Sequence, residues 1–236
     1  MGIKIIITGA TGFVGEGVLL ECLAHPQVEA VLIVNRKHYD LTHPKLTECL
    51  VPDFMNLDAV AEQLTGHNAC FYCAGVSSVG MDEKSYSHIT YDITIHFAKR
   101  LATLNPGMVF TFVSGSHTDS SEKGRIMWAR VKGKTENSLQ SLPFRSQYNF
   151  RPGFMKPMPG QKNVKGLYRF ISGIYPLLKL LFPNQGSTVR EVGLAMINAV
   201  LKGYPNHILE VKDIKALAKY DMDDGASASA TANSRS

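Results

Sequence analysis

A chain of 236 residues with 44% hydrophobic and 19% charged content has the apolar material of one large globular domain, which excludes an intrinsically disordered protein. The net charge of +5 is modest, and no run interleaves basic residues with stacking aromatics, so nucleic acid is not an expected partner. Four scattered cysteines make no disulfide framework, the N-terminal "MGIKIIITGA" does not read as a signal peptide, and no apolar run reaches the roughly 18 residues of a membrane span. The expected setting is therefore reducing and cytoplasmic.

The elements alternate along the chain. "KIIIT" (4–8) reads as a strand and Val14–Leu23 as a helix; "AVLIV" (30–34) and, more weakly, "LTECLV" (46–51) read as the next two strands. A helix is expected over Leu57–Leu64, a strand over "ACFYCAG" (69–75), and a helix over Ile93–Leu104. "MVFTFVS" (108–114), the helix Val131–Leu142 and the strand "SQYNFRP" (146–152) follow. The first, second and fifth of these strands are nearly all apolar, as strands covered on both faces are. Strand–helix alternation of this kind predicts an α/β fold with a parallel sheet and helices on both faces.

Beyond Pro152 the character changes. Segment 153–166, rich in Gly, Pro and Lys, reads as a mobile loop. "LYRFISGIYPLLKLLF" (167–182) is strongly apolar around Pro176, and is read as a cover for the substrate end of a pocket or a subunit contact, leaving a homodimer open. Contact with a membrane surface is the less favoured alternative. An amphipathic helix spans 188–203 and ends at Gly203, "HILEV" (207–211) is a last strand, and the small polar tail 223–236 is read as disordered.

The most informative stretch is "TGATGFVGEG". Gly9, Gly12 and Gly15 lie where a strand turns into a helix, with Thr11, Phe13 and Val14 between them. That placement lets the chain turn sharply and bring its backbone against a pyrophosphate, which the helix N-terminus then receives with free N–H groups and a positive dipole end. After strand two, where an NAD site usually carries a carboxylate for the ribose hydroxyl, this chain has Asn35, Arg36 and Lys37. An arginine fork suits a 2′-phosphate, so NADP is expected, with NAD less favoured.

These motifs, followed in order by "PDF" after strand three, "YCAG" after strand four, "VSGS" after strand five, "VKGKTE" on a helix and "RPG" after strand six, resemble the short-chain dehydrogenase/reductase superfamily. The similarity is to its extended, atypical NAD(P)-dependent epimerase/dehydratase-like branch, in the group of HIV Tat-interacting oxidoreductase-like proteins, and covers residues 3 to 211. It implies a Rossmann-type doubly wound parallel sheet (1–152) with a small C-terminal substrate region (153–222) packed on it. By the same resemblance Asp53 would bond the adenine amino group with Phe54 beside it, and Ala74 and Gly75 would pass under the adenosine. Lys132 would bond the nicotinamide ribose, while Arg151, Pro152 and Gly153 would line the nicotinamide end. Ser114 or Ser116 would donate to the carbonyl of an apolar small-molecule substrate.

One position departs from the pattern. The family's catalytic tyrosine lies four residues before the lysine, and here that position is Trp128. An indole N–H donates a hydrogen bond but is no practical acid, and the loss of general acid catalysis is worth about 10²–10⁴ in rate. His117 is one stand-in, since imidazole titrates near neutrality. Two functions therefore stay open, an NADP-dependent carbonyl oxidoreductase with an altered acid and a cofactor-binding sensor without turnover. Two further signals carry less. Cys70 and Cys73 have CxxC spacing, but residues three apart in a strand face opposite ways. The eight histidines show no metal-ligand pattern, so no metal is expected.

Overall fold

The computed structural model describes residues 2–164 and 186–220, so the apolar stretch 167–182 and the tail 223–236 lie outside the described residues. Its centre is a sheet of seven parallel strands in the order β3-β2-β1-β4-β5-β6-β9. These are β1 (Ile3–Thr8), β2 (Val28–Asn35), β3 (Leu46–Leu50), β4 (Ala69–Tyr72), β5 (Val109–Val113), β6 (Ser146–Phe150) and β9 (Ile208–Leu209). Chain order reverses between β1 and β4, and in open sheets of this kind ligands bind at the carboxyl ends of the strands beside such a reversal.

Both faces of the sheet are covered, which explains the unbroken apolar strands. Ile5 and Ile7 of β1 point to one layer and Ile6 to the other, as the two-residue strand period requires. Helices α1 (Phe13–Ala24), α5 (Val189–Leu201) and α6 (Val211–Ala218) cover the first face; α3 (Ile93–Leu104) and α4 (Met127–Gln140) cover the second. Cys70 packs into the second layer and Cys73 against the first, so the CxxC pair is split across the sheet as its spacing required. Both thiols are free.

Several elements differ from the sequence reading. Leu57–Leu64 holds only a single-turn 3₁₀ helix, Asp58–Val60; Leu57 and Leu64 are buried and Val60 packs half-buried against the same layer. The strand expected over 207–211 stops at Leu209, since Glu210 caps α6: its backbone N–H donates to Asp213 Oδ2 at 3.1 Å. Helix α4 begins four residues earlier than Val131, with no side-chain cap to mark its start. A short helix, α2 (Glu83–Ser87), capped by Asp82, runs through a wide turn over His88–Asp92 into α3.

The loop expected over 153–166 is in part a strand, β7 (Phe154–Lys156), paired in parallel with β8 (Gly186–Thr188). The residues after it are clasped onto α1. Gln161 Nε2 donates to the Phe13 carbonyl at 2.6 Å, and the backbone N–H groups of Lys162 and Asn163 donate to the buried carboxylate of Glu16 at 2.9 and 2.7 Å. Thr188 begins α5 with a capping box to Glu191, and the helix runs out at Gly203, which adopts a left-handed φ of +73°.

Candidate active site

The glycines of the first turn do different work. Gly9 has φ +71°, and a Cβ there would lie 2.6–2.8 Å from backbone atoms of Cys73 and Ala74. A Cβ on Gly15 would sit 2.1 Å from the Gly9 carbonyl oxygen, so the third glycine lets α1 close on its own entry turn. Gly12 donates its N–H to Gly9 O at 2.9 Å and leads into α1, whose first-turn amides have no helical acceptor. Phe13 and Val14 begin the helix and pack their side chains, half-buried, against the core. Their contribution to a ligand is therefore confined to backbone.

In front of this turn lies a cleft of about 320 Å³ across the carboxyl ends of β1 to β4. It brings together Gly9, Thr11, Gly12, Asn35, Arg36, Asp53, Phe54, Ala74 and Gly75, all singled out by the sequence, while Lys37 is exposed outside its lining. Gly75 has no atom within 4 Å of where a Cβ would stand, so the space beside it is the cleft itself. That is the fit expected of a backbone that a flat ligand passes over. Asp53 is held by the Met55 N–H on its Oδ1 at 2.9 Å, and Phe54 packs on Phe97 with ring centroids 5.3 Å apart. Tyr72 forms part of the wall, its hydroxyl pushed up to about 12 by burial and so kept neutral.

A carboxylate does stand beside the end of β2, on the neighbouring strand. Glu48 accepts from Asn35 Nδ2 at 3.2 Å, from the Tyr39 N–H at 2.9 Å and pairs with His38 at 2.5 Å. Burial works against its charge, yet the bonds from His38 and Asn35 hold it below its usual range. Its oxygens thus organise the turn after β2 and do not line the cleft. Arg36 does line it, and makes no hydrogen bond or ion pair among the described residues.

The residues the sequence singled out on α4 line neither this cleft nor a second one. Trp128 and Lys132 are one turn apart, both half-buried, and the indole ring edge lies 3.6 Å from where a Gly115 Cβ would stand. Lys132 reaches back over the Phe112 ring to the Val113 carbonyl at 3.4 Å. Burial brings its ammonium down to about 8, with the nearby Glu136 charge opposing the shift. Ser114 is buried, its hydroxyl 2.9 Å from that of Thr118, whereas Ser116 opens into a second cleft of about 590 Å³. That cleft spans the ends of β5, β6 and β9, between His117, Arg151–Phe154 and Glu210–Lys212.

Arg151 reaches this cleft, but all three of its nitrogens already have partners. Nε and Nη2 clasp the fully buried Glu136 carboxylate at 3.0 and 2.5 Å, Nη1 donates to Glu210 at 3.2 Å and Nη2 to Ser120 at 2.7 Å. Sequence reasoning missed Glu136, Ser120 and Glu210. Glu136, four residues beyond Lys132, carried the one available signal, a carboxylate on the inward face of a helix. Nothing in the local sequence of Glu210 points to a partner 59 positions away.

A family model described as the NAD dependent epimerase/dehydratase family matches residues 5–130. The protein HTATIP2 of Rattus norvegicus is 26% identical over 154 residues, spanning 64% of this chain and 62% of its own, so the match covers less than two thirds of that relative. The mitochondrial protein fmp52 of Emericella nidulans is 25% identical over 84% of this chain and 88% of its own length. In fold, the ADP-L-glycero-D-manno-heptose-6-epimerase of Helicobacter pylori superposes with a TM-score of 0.64 at 13% identity, over 92% of this chain and 82% of that one. MoeE5, solved in complex with UDP-glucose and NAD, gives a TM-score of 0.62 at 15% identity, over 92% of this chain and 81% of that one. Among the described residues no helix is long and apolar enough to cross a membrane. The glycine turn, the strand order and the match from β1 into α4 agree, and the chain belongs to the NAD dependent epimerase/dehydratase family, in its extended short-chain dehydrogenase/reductase-like branch.

Proposed function

We propose that the chain is an NADP(H)-dependent oxidoreductase of a small carbonyl or hydroxyl compound. The observation that carries the reading is Arg36, which lines the first cleft beside the glycine turn with no hydrogen bond or ion pair among the described residues. A guanidinium in that place matches a 2′-phosphate in charge and geometry. The turn of Gly9 to Gly15 would receive the pyrophosphate, Asp53 the adenine amino group, and Ala74 and Gly75 the flat passage of the adenosine. Lys132 would hold the nicotinamide ribose hydroxyls with Pro152 nearby. Bound there, the reduced nicotinamide supplies a hydride.

The residues of the second cleft set what receives it. Ser116 opens into the cleft and would donate to the substrate oxygen; Ser114 supports the turn through Thr118. Pro152, Phe154 and Val211 give the cleft an apolar wall, suited to a substrate with an apolar body. The free cysteines suit a reducing compartment, the cytoplasm in this reading. The fungal relatives' names place those proteins in mitochondria.

The second reading, a cofactor-binding sensor, is favoured by Trp128 in place of a phenol. Consumption of NADPH in the presence of para-nitrobenzaldehyde separates the two. The oxidoreductase reading expects turnover by the wild type or, where the phenol is the missing acid, by W128Y, and its abolition in K132M. Tight NADPH binding with no turnover in either the wild type or W128Y would leave the sensor.

A further inference from the structure

Two residues other than glycine adopt a left-handed backbone among the described residues, His117 with φ 67° and Glu122 with φ 59°. Glu122 sits at an exposed turn and bonds Asn137 Nδ2 at 2.7 Å. The His117 side chain makes no hydrogen bond or ion pair among the described residues, and it borders the 590 Å³ cleft next to Ser116. A left-handed backbone at a residue other than glycine persists where its surroundings impose it.

Those surroundings are visible. Thr118 donates its N–H and its hydroxyl to the Gly115 carbonyl at 3.2 and 2.7 Å, closing a tight turn with His117 inside it. The Ser114 hydroxyl braces Thr118, and the Asp119 N–H donates to Ala129 O at 3.1 Å, which fastens the turn to the helix carrying Trp128 and Lys132. The Trp128 ring edge lies 3.6 Å from where a Gly115 Cβ would stand. The turn therefore holds His117 in the lining of the cleft, whose other charged lining residues are Arg151, Glu210 and Lys212.

We infer that His117 is the proton donor of this site, doing from the turn after β5 what a phenol at position 128 would do from α4. The inference rests on the oxidoreductase reading. In the reduction, the carbonyl carbon takes a hydride from the reduced nicotinamide and the C=O electron pair moves onto oxygen. The His117 imidazolium gives that oxygen its N–H proton, leaving an alcohol, the oxidised cofactor and a neutral imidazole, and the exposed ring takes its proton back from solvent. Oxidation runs the same transfers backwards with the neutral ring as base.

His117→Asn tests this without unfolding the turn, because asparagine tolerates a left-handed backbone. With para-nitrobenzaldehyde and NADPH, H117N is expected to turn over at least tenfold more slowly than wild type, to regain rate when free imidazole is added, and to show a different pH profile of rate. NADPH binding, read from Trp128 fluorescence, is expected to change by less than twofold. Independently of turnover, the ring signal that NMR loses in H117N is expected to shift when para-nitrobenzyl alcohol is added with oxidised cofactor. Wild-type turnover matched by H117N, with an unchanged pH profile, would overturn the acid and leave the oxidoreductase. No turnover by wild type and W128Y alike would remove both.

Discussion

Gly75 and Gly15 look equivalent in the sequence, yet an added methyl meets different things at each. At Gly15 it would overlap the Gly9 carbonyl at 2.1 Å, so G15A is expected to unfold at lower denaturant, with NADPH binding lost as a consequence. At Gly75 it meets no protein atom, so G75A should keep its unfolding free energy within about 0.5 kcal/mol while binding NADPH at least tenfold more weakly. Urea unfolding and a binding titration on the two variants check both halves. Lys132 carries the prediction on pH. In the folded chain it loses its proton near pH 8, below its ordinary 10.5. Between those values the unfolded chain therefore binds more protons, and stability must rise with pH across that window. Measured as wild type against K132M without cofactor, the gap should move in favour of the wild type as pH goes from 8 to 10.5, and K132M should be the more stable below pH 8. A difference flat with pH would show that Lys132 is solvated.

At the scale of elements, the buried Arg151–Glu136 pair joins the end of β6 to α4, with Ser120 and Glu210 adding the loop after β5 and the start of α6. Breaking a buried pair from one side strands a charge, which costs about 3–5 kcal/mol; Glu210 and Ser120 place E136A at the lower end of that range. Urea denaturation measures it, and a loss under about 1 kcal/mol would mean that the pair is solvated. This clamp was not legible in the sequence because its members lie 15 and 59 residues from Arg151 and have no local signature. What was legible had a local cause. The glycine turn needs three glycines at fixed spacing, and the buried strands need apolar residues on both faces. Two readings failed: Leu57–Leu64 has helical spacing but forms only one 3₁₀ turn, and the strand read over 207–211 is cut short by the capping box that starts α6 behind its apolar "HIL".

For the whole molecule, the two clefts lie along one edge of one sheet, the first across the ends of β1 to β4 and the second across β5, β6 and β9. Helix α4 follows β5 and sets Lys132 and Trp128 against the end of that strand, outside the lining of either cleft. Residues 158–163 close the far side of the glycine turn through Glu16 and Gln161, so the C-terminal half of the chain braces the same helix that would receive the phosphates. Each cleft is assembled from separate segments that only the sheet brings together, the first from the ends of β1 to β4 and the second from 116–117, 151–154 and 210–212. Short motifs marked most of these segments in the sequence, and 210–212 carried none.

Trp128 is the single tryptophan of the chain, so its emission reports on the site without a label. Titrating wild type and R36A with NADPH and with NADH tests the central claim most directly. The account predicts that NADPH binds the wild type at least tenfold more tightly than NADH. Arg36→Ala should then weaken NADPH by about 2 kcal/mol, roughly thirtyfold, with NADH changed little. Equal affinities in the wild type, or an R36A variant that keeps the full preference for NADPH, would contradict it.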